Sequence, residues 1–397
     1  MQRKRWHLHW LALLLAILIL FPGETGCGRS PAPVGTMPSP SATSSFSHTV
    51  SYGIDINIFD KNIGLARVPQ ALRLAASAGA RVIRIGSGWN AIQPENATSY
   101  NWSALDTLLR LAQQDNLQLL LEIGSTPRWD SPDPQSPVYY EYPPVDCLNG
   151  GSCQTVATFM TAFVHHLDAS PERNIVRGII TRNEPQNFQK NWIGGTAAEF
   201  AMYQHAIYTA AHAVDNRIAI LNGGTEQFPA PLIQKFQQRF PPTAYRKKEE
   251  AFTQELYANS LWCRSIDILD VHAGDHGPVY SPQMVDSSEQ MLEHCNGGKQ
   301  LPVWVTEVSY SYLLTVQAQP RILFELGNTY EDGAASQARF LIDTLSALAR
   351  DTYVIGVNWT FLISPSDNPA LDGAGAGLTD INWQQEPSFA AYQSLTR

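Results

Sequence analysis

The chain has 397 residues, of which 44% are hydrophobic and 16% charged, so it can bury a large core and is not generally disordered. Its net charge is −9, and because the first 27 residues contribute +2, the remainder carries −11. Such an acidic body repels phosphate backbones, which excludes nucleic acid as the expected partner.

The N-terminus has the pattern of an export signal. Three basic residues at positions 3–5 precede a twelve-residue apolar run from Trp10 to Phe21, which suits a signal peptide and is shorter than the roughly 20 residues that span a bilayer. The run is followed by a segment that resembles a bacterial lipoprotein box ending at Cys27, except that Glu24 stands where that motif has Leu. We expect export, with membrane attachment through a lipid on Cys27. The alternatives are an uncleaved anchor or a leader that is cut elsewhere.

Three regions follow from composition. Residues 1–27 form the expected leader, and residues 28–50, rich in Pro, Ser and Thr without apolar periodicity, form a disordered linker. Residues 51–397 form one long folded domain.

Within this domain, short apolar runs alternate with longer amphipathic stretches. Alternation of strands with helices indicates parallel pairing, and eight such units match a (β/α)₈ barrel with enlarged βα loops. A doubly wound open sheet is the competing fold, but no Gly-rich phosphate turn follows the first strand. The predicted strands are Gly53–Ile58, Arg81–Gly86, Gln118–Ile123, Ile175–Thr181, Ile218–Asn222, Ile266–His272, Pro302–Glu307 and Tyr353–Phe361. The clearest predicted helices are Val68–Ala78, Ser103–Gln114, Thr155–Asp168, Ala197–Val214, Ser287–His294 and Ala335–Ala349.

Four cysteines lie in the domain, and an even number in an exported protein indicates disulfides. Cys147 and Cys153 flank a turn-rich loop and are the expected first pair, which leaves Cys263 and Cys295 as the second. Four buried thiols are the alternative. The spacing does not suit a structural zinc site, and no nucleotide or flavin motif is present, so we expect no metal and no cofactor.

The ends of the predicted strands carry the functional signal, because active sites of such barrels lie at the C-terminal ends of the strands. Glu184 follows strand four and Glu307 ends strand seven, so both carboxylates are expected at the barrel mouth.

At these positions the sequence resembles the clan A retaining glycoside hydrolases. The resemblance lies mainly in two motifs, TRNEP at Thr181–Pro185 and WVTE at Trp304–Glu307. Three further segments support it: Gly79–Pro94, Tyr100–Asp106 and Ser125–Trp129. The layout is most similar to the family 39 β-xylosidases and iduronidases, with families 5 and 42 as near relatives. The resemblance extends over nearly all of the folded domain and implies an acid/base on strand four and a nucleophile on strand seven.

Retaining hydrolysis explains why both positions must be carboxylates. A nucleophile beneath the anomeric carbon and a proton donor at the leaving oxygen must lie roughly 5–5.5 Å apart. Glu307 is the expected nucleophile and Glu184 the expected acid/base, with its pKa raised by the neighbouring negative charge. The alternative is that both carboxylates form buried ion pairs that support the barrel.

Other residues have weaker signals. The resemblance implies that Asn183 binds the sugar 2-hydroxyl, although it could be a turn residue. Arg84 is expected to hydrogen-bond the nucleophile, or else to form a structural salt bridge. His272 is a polar neighbour of the nucleophile or a satisfied core histidine, and Tyr310 or Tyr312 is expected to donate a hydroxyl to the nucleophile.

Aromatic residues at strand ends are candidates for sugar platforms, because an indole face packs well against a sugar ring. We expect Trp359 to form the floor under the cleaved sugar, followed by a cis peptide that the resemblance implies. Trp89 and Trp129 are candidates for neighbouring subsites, or pack within loops. Glu122 and Glu226 are set aside, because strands three and five lack the facing geometry of strands four and seven.

The sequence therefore predicts an exported retaining glycosidase that acts on an oligosaccharide, polysaccharide or glycoside. A catalytically silent carbohydrate-binding lipoprotein on the same barrel is the alternative, and a two-lobed solute-binding lipoprotein is disfavoured by the eight-unit pattern. Xylosidases, glucosidases, galactosidases, mannanases and uronide-acting enzymes share these signatures, so the sugar stays open.

Overall fold

The computed structural model describes residues 49–57, 64–227, 243–313, 333–371 and 373–397. The leader, Cys27 and most of the predicted linker lie outside the described residues. Strands and helices alternate along the described ranges in the order β1 (Ser51–Ile56), α1 (Gly64–Ala78), β2 (Val82–Gly86), α2 (Trp89–Ile92), α3 (Ser103–Gln114), β3 (Gln118–Glu122), α4 (Gln154–Ala169), β4 (Val176–Ile180), α5 (Ala197–Val214), β5 (Ile220–Leu221), α6 (Ala244–Tyr257), α7 (Ser260–Cys263), β6 (Leu269–Gly274), α8 (Gly277–Cys295), β7 (Val303–Val308), α9 (Ala334–Leu348), β8 (Val354–Trp359) and α10 (Pro387–Thr396). Short 3₁₀ turns occur at Arg128–Asp130, Tyr139–Glu141, Val145–Gly150 and Arg173–Ile175.

The eight strands form one parallel sheet that curls into a barrel. Their hydrogen-bonded order is β5-β4-β3-β2-β1-β8-β7-β6. The gap between the two outer strands is bridged by the parallel pairs Leu221–Ile268 and Thr225–Val271. The predicted (β/α)₈ barrel is confirmed.

Two helices differ from the sequence prediction. Helix α8 begins ten residues before the predicted Ser287, because Pro278 stands in its first turn, where a missing N–H costs nothing. Helix α6 lies between the fifth and sixth predicted strands, where no helix was predicted. Six of its fourteen residues are charged, and a narrow apolar face with Phe252 and Leu256 is buried where the helix packs beside α5.

The barrel interior is filled in layers. An apolar layer contains Val82, Leu120, Ile180, Leu221, Ile268 and Trp304, one residue from each of six successive chain segments. The large Trp304 ring fits because Gly356 faces it, and a Cβ at Gly356 would stand only 2.2 Å from the indole. We call this layer the apolar floor, and the polar residues of the next layer lie directly above it.

Strand register brings the polar residues together one step nearer the C-terminal ends. Asp55 on β1 is paired with Arg84 on β2. His272 on β6 is paired with Glu307 on β7. Because inward-facing side chains alternate along a strand, these residues project above the apolar floor into the barrel mouth.

Both predicted disulfides are present. Cys147 pairs with Cys153 at a sequence separation of 6, and Cys263 pairs with Cys295 at a separation of 32. Two disulfides indicate an oxidising, extracytoplasmic environment. In the described part of the chain, no helix has both the length and the apolar character that a bilayer span requires.

The two disulfides should contribute unequally to stability, because a longer closed loop restricts the unfolded chain more. Replacing both Cys263 and Cys295 by Ser should lower the free energy of unfolding by about 3–4 kcal/mol, and the matched change at Cys147 and Cys153 by about 2 kcal/mol. Urea denaturation without reductant measures both values. A larger loss at the short loop would contradict the expectation.

Candidate active site

The guanidinium of Arg84 is the centre of the barrel mouth. Its Nη1 donates to Asp55 Oδ2 at 2.8 Å and to the carboxylate of Glu307. Its Nη2 donates to Glu122 Oε2 at 3.2 Å and to the amide oxygen of Asn183. Burial lowers the pKa of Arg84, but the charges of Asp55, Glu307 and Glu122 outweigh it and raise the pKa well above its usual value. Arg84 therefore stays charged and orients residues from four elements at once.

Asp55 connects this centre to the barrel floor. Its Oδ1 accepts from Asn358 Nδ2 at 2.8 Å, and Asn358 Oδ1 accepts from Trp304 Nε1 at 2.9 Å. Burial raises the pKa of Asp55 to about 8, against the opposing effect of Arg84. A Cβ at Gly53 would lie 2.1 Å from Asn358 Oδ1, so this position needs a glycine for Asn358 to approach.

Glu184 and Glu307 meet across His272. His272 Nδ1 lies 2.9 Å from Glu184 Oε1, and its Nε2 lies 3.5 Å from Glu307 Oε1. One oxygen of each carboxylate and one ring nitrogen all lie within 4.8 Å of one another. The side chains of Glu184 and Glu307 are 23% and 22% exposed, whereas that of His272 is 1% exposed. The two carboxylates are thus close together and accessible, with the imidazole buried behind them.

The backbone around this group is shaped by glycines. Glu184 has a φ of 38°, and its N–H donates to the Gly223 carbonyl at 2.8 Å. Gly224, at φ 72°, packs against the imidazole, and a Cβ there would stand 1.9 Å from His272 Nε2. The Gly-Gly pair after β5 therefore lets the loop after β4 and the histidine on β6 approach closely.

The charges on His272 and Glu184 differ from the sequence prediction. Burial lowers the pKa of His272, but the charge of Glu307 and the hydrogen bond and charge of Glu184 raise it to about 9. Burial raises the pKa of Glu184, but the hydrogen bond and charge of His272, together with Arg84, hold it below its ordinary value. The expectation that a neighbouring negative charge raises the Glu184 pKa is wrong for the free protein, because the protonated imidazole lies closer.

A cavity of about 500 Å³ opens at this end of the barrel. Arg84, Asn183 and Glu307 line it, as the sequence predicted for site residues. Its charged lining residues are Asp55, Arg84, Glu122, Glu141, Arg182 and Glu307. Its volume suits a small ligand or one to two sugar rings, within the ordinary range of binding pockets.

The predicted aromatic platform is not at the cavity surface. Trp359 is fully buried, donates its Nε1–H to the Ala376 carbonyl at 3.0 Å, and packs against Phe340. Thr360 and Phe361, the next two residues, line the cavity instead. Every peptide bond in the described ranges is trans, so the cis peptide expected after Trp359 is not observed.

The other predicted aromatics are not among the described residues that line the cavity either. Trp89 is fully buried and stacks on Phe159, and Trp129 borders a separate cavity of about 200 Å³. Tyr310 is buried, and its ring centroid lies 4.9 Å from that of Phe340. The hydroxyl of Tyr312 donates to Glu386 at 2.9 Å. These residues lie beyond the strands, Trp89 in α2 and Trp129 in the 3₁₀ turn Arg128–Asp130, so the conformation of the loops sets their positions.

Four charged lining residues were not among the predicted site residues: Asp55, Glu122, Glu141 and Arg182. Asp55 and Glu122 occupy inward positions at the ends of β1 and β3, and both pair with Arg84. Arg182 lies directly before Asn183, and its guanidinium donates to the carbonyls of Tyr140 and Tyr142 in the loop after β3. The alternation of inward residues along β3 was the available signal for Glu122.

Glu226, set aside in the sequence, lies beside Glu184 without lining the cavity. Burial raises the pKa of Glu226, and so does the charge of Glu184. Its carboxylate pairs with Arg246 of α6 at 3.6 Å. Helix α6 also contacts the loop after β4 through Tyr245, whose hydroxyl donates to Asn187 Oδ1 at 2.6 Å.

Two groups of side chains in the described ranges are close enough to hold a metal ion. Glu184, His272 and Glu307 form the first, but Arg84 and the protonated imidazole already supply two positive charges there. The second is the exposed acidic group Asp286, Glu289 and Asp351, which lies on α8 and before β8. The absence of a cofactor stays a prediction.

Comparisons with known proteins rest on structure alone. No protein-family model matches the sequence, and no curated protein matches it. A family 39 glycoside hydrolase from Bacteroides cellulosilyticus WH2 superposes with a TM-score of 0.60 at 15% identity, over 88% of this chain and 64% of that one. A GH39 β-xylosidase from Caulobacter crescentus gives 0.59 at 18% identity, over 87% and 70%. A GH5_18 protein from Bifidobacterium longum subsp. infantis gives 0.56 at 15% identity, over 87% and 78%.

These likenesses show that the chain has the barrel fold found in clan A glycoside hydrolases of families 39 and 5. The chain spans 64% of the length of the Bacteroides protein, which is therefore considerably longer. At 15–18% identity the superpositions establish the fold, and the chemistry has to be argued from the site itself.

Removing the Arg84 charge should destabilise the fold in a pH-dependent way. Arg84→Met leaves three carboxylates without their shared partner, so the free energy of unfolding at pH 8 should fall by about 3–5 kcal/mol. The loss should be smaller at pH 5, because Asp55, whose pKa burial raises to about 8, can then take up a proton. Denaturation of the variant at both pH values measures this.

Arg177→Met, at an exposed position on β4, is the control and should change the unfolding free energy little at either pH. An equal loss for Arg84→Met at pH 5 and pH 8 would contradict the charge-balance account.

Proposed function

We propose that this protein is a retaining glycoside hydrolase, with Glu307 as nucleophile and Glu184 as acid/base. The observation that supports it most is that oxygens of the two carboxylates lie within 4.8 Å of each other, and that Glu307 lines the cavity at the barrel mouth. Retaining enzymes need this short separation, whereas inverting enzymes keep their carboxyls about 6.5–9.5 Å apart to admit a water. The solved structures with the same barrel include a β-xylosidase, which supports a saccharide substrate.

In the first step, a Glu307 oxygen bonds to the anomeric carbon as the bond to the leaving oxygen breaks. Glu184 gives its proton to that leaving oxygen. In the second step Glu184 takes a proton from water, the water oxygen bonds to the anomeric carbon, and the Glu307 carboxylate departs. Two displacements at the same carbon restore its original configuration.

Arg84 and Asn183 position the nucleophile and the sugar in this proposal. Arg84 donates to Glu307 and fixes the direction from which that carboxylate attacks. Asn183 accepts from Arg84 through its amide oxygen, which leaves its NH₂ group free to turn towards a sugar hydroxyl. A contact of this kind to the 2-hydroxyl strengthens at the transition state.

His272 supplies the proton that the free Glu184 lacks. The pair holds one proton, which resides on the imidazole and lies on a 2.9 Å hydrogen bond to Glu184 Oε1. When this proton moves along the hydrogen bond from His272 to Glu184, the resting ion pair becomes a neutral imidazole and a carboxylic acid. When Glu307 becomes an ester, His272 loses the charge that most raises its pKa, so the imidazole gives up its proton more readily.

A catalytically silent sugar-binding protein is the second candidate. The observation in its favour is that Glu184 is held ionised by His272 in the free protein. Turnover of any glycoside by the purified protein decides against it.

For the whole chain we propose an exported enzyme, with residues 1–27 as leader, 28–50 as linker and 51–397 as catalytic domain. Attachment to a membrane through a lipid on Cys27 belongs to the same proposal. The two disulfides support an extracytoplasmic location.

The roles of the two glutamates predict different behaviour of their alanine variants. Glu307→Ala should abolish turnover, and added azide should give a glycosyl azide of inverted configuration. Glu184→Ala should lose about 10²–10⁴-fold on substrates with poor leaving groups and much less on activated aryl glycosides. Azide should then release a product of retained configuration, which NMR identifies.

Glu255→Ala, at an exposed position on α6, is the control and should keep full activity. The opposite azide stereochemistry would exchange the two roles, and normal activity of either glutamate variant would refute the site.

The shared proton predicts an unusual pH dependence. Turnover needs the proton of the His272–Glu184 pair, so kcat/KM should fall as pH rises through about 9, the pKa of His272. In His272→Gln the proton resides on Glu184 alone, and a carboxyl releases it at a lower pH. The basic limb should therefore move down by about one pH unit or more.

The exposed His165→Gln should leave the pH profile unchanged. An unmoved basic limb in His272→Gln would show that the imidazole does not hold the catalytic proton.

A further inference from the structure

We infer that the sugar cleaved by this site carries no carboxylate, so that the substrates are neutral glycosides or amino-sugar glycosides and uronides are rejected. The inference rests on the proposed function and narrows its substrate class. It follows from which charged groups of the cavity lining are already paired with protein groups.

Both terminal nitrogens of each guanidinium in the described lining donate to protein groups. Arg84 donates through Nη1 and Nη2 to Asp55, Glu122, Asn183 and Glu307, and its Nε is shielded from the cavity. A sugar carboxylate could reach Arg84 only by displacing a protein carboxylate.

Arg182 is bound in a different way with the same result. Its three nitrogens donate to the carbonyls of Tyr140, Tyr142 and Asn191 and to the hydroxyl of Thr126. These hydrogen bonds hold the loop after β3 in place. Because both terminal nitrogens of Arg182 are used in them, the guanidinium cannot form a bidentate pair with an anion.

The charged groups of the lining that remain for a ligand are acceptors. Glu122 gives one oxygen to Arg84 and keeps a side chain that is 27% exposed in the lining. Glu141 lines the same cavity and forms no ion pair within 4.0 Å among the described residues. The side-chain oxygen of Asn90, also in the lining, is buried and has no hydrogen-bond partner among them.

Acceptors of this kind bind ligands that carry hydrogen-bond donors. Sugar hydroxyls and a protonated amino group supply them, whereas a uronate adds a further negative charge beside Glu122, Glu141 and Glu307. Within a cavity of low polarisability, like charges a few ångströms apart repel strongly. Glu122 is the residue that should contribute most to this selection, because it is the exposed carboxylate next to Arg84.

Aryl glycosides in epimer-matched pairs test the inference. We would compare glucosides with glucuronides and galactosides with galacturonides, in both anomeric configurations, and include glucosaminides. The kcat/KM of each uronide should be at least about 100-fold below that of its neutral partner, and glucosaminides should not be penalised. A uronide turned over as well as its neutral partner would overturn the inference.

Glu122→Gln removes one negative charge and should narrow the neutral-to-uronide ratio by about tenfold, whereas Glu255→Gln should leave the ratio unchanged. An unchanged ratio in Glu122→Gln would remove this residue from the account of selectivity and contradict its assigned role.

Binding separates this inference from the proposed function. Titration calorimetry with methyl glucoside and methyl glucuronide, and with the corresponding galactose pair, measures selectivity without turnover. Binding of neutral sugars alone, with no hydrolysis of any aryl glycoside, would refute the proposed function and support the inference. Preferred binding of the uronates would overturn the inference whether or not hydrolysis occurs, and binding of none of these sugars would contradict both.

Discussion

The guanidinium of Arg84 joins three carboxylates and an amide from four elements at the mouth of the barrel. Without it, Asp55, Glu122 and Glu307 would repel one another in a buried site, and the fold could not keep them there. The apolar floor beneath, with Trp304 seated against Gly356, holds this polar layer in place through Asn358. Fold stability and site geometry therefore depend on the same contact.

The imidazole of His272 is the second positive group of the site. His272 lies between Glu184 and Glu307 and contacts both, so the carboxylates can approach within 4.8 Å without being driven apart. The same imidazole stores the proton that the acid/base residue must deliver. Because both guanidiniums of the described lining and the imidazole are bound to protein groups, the charged groups that the cavity leaves for its ligand are carboxylates, and this connects the catalytic arrangement to the choice of sugar.

The order of strands and the two glutamates could be predicted from the sequence because short apolar runs and polar strand ends are local signals. Each predicted strand overlaps an observed one, and Glu184 and Glu307 lie together as their strand positions implied. The inward or outward direction of a terminal side chain was not predictable in the same way. Trp359 was expected at the surface and is buried, because the direction of a side chain at the end of β8 depends on local register. The lowered pKa of Glu184 depends on its contact with His272, 88 residues away in the chain, which no local pattern contains.

The most direct test of this account is to trap the covalent intermediate. A 2-deoxy-2-fluoro glycosyl fluoride of a sugar that the protein hydrolyses slows both displacements, and its good leaving group lets the first one finish, so the sugar should remain on the enzyme. Mass spectrometry of the intact protein and then of its peptides should find one added sugar, located on Glu307. A label on another residue, or inactivation and turnover without any covalent adduct, would contradict the claim that Glu307 attacks the anomeric carbon.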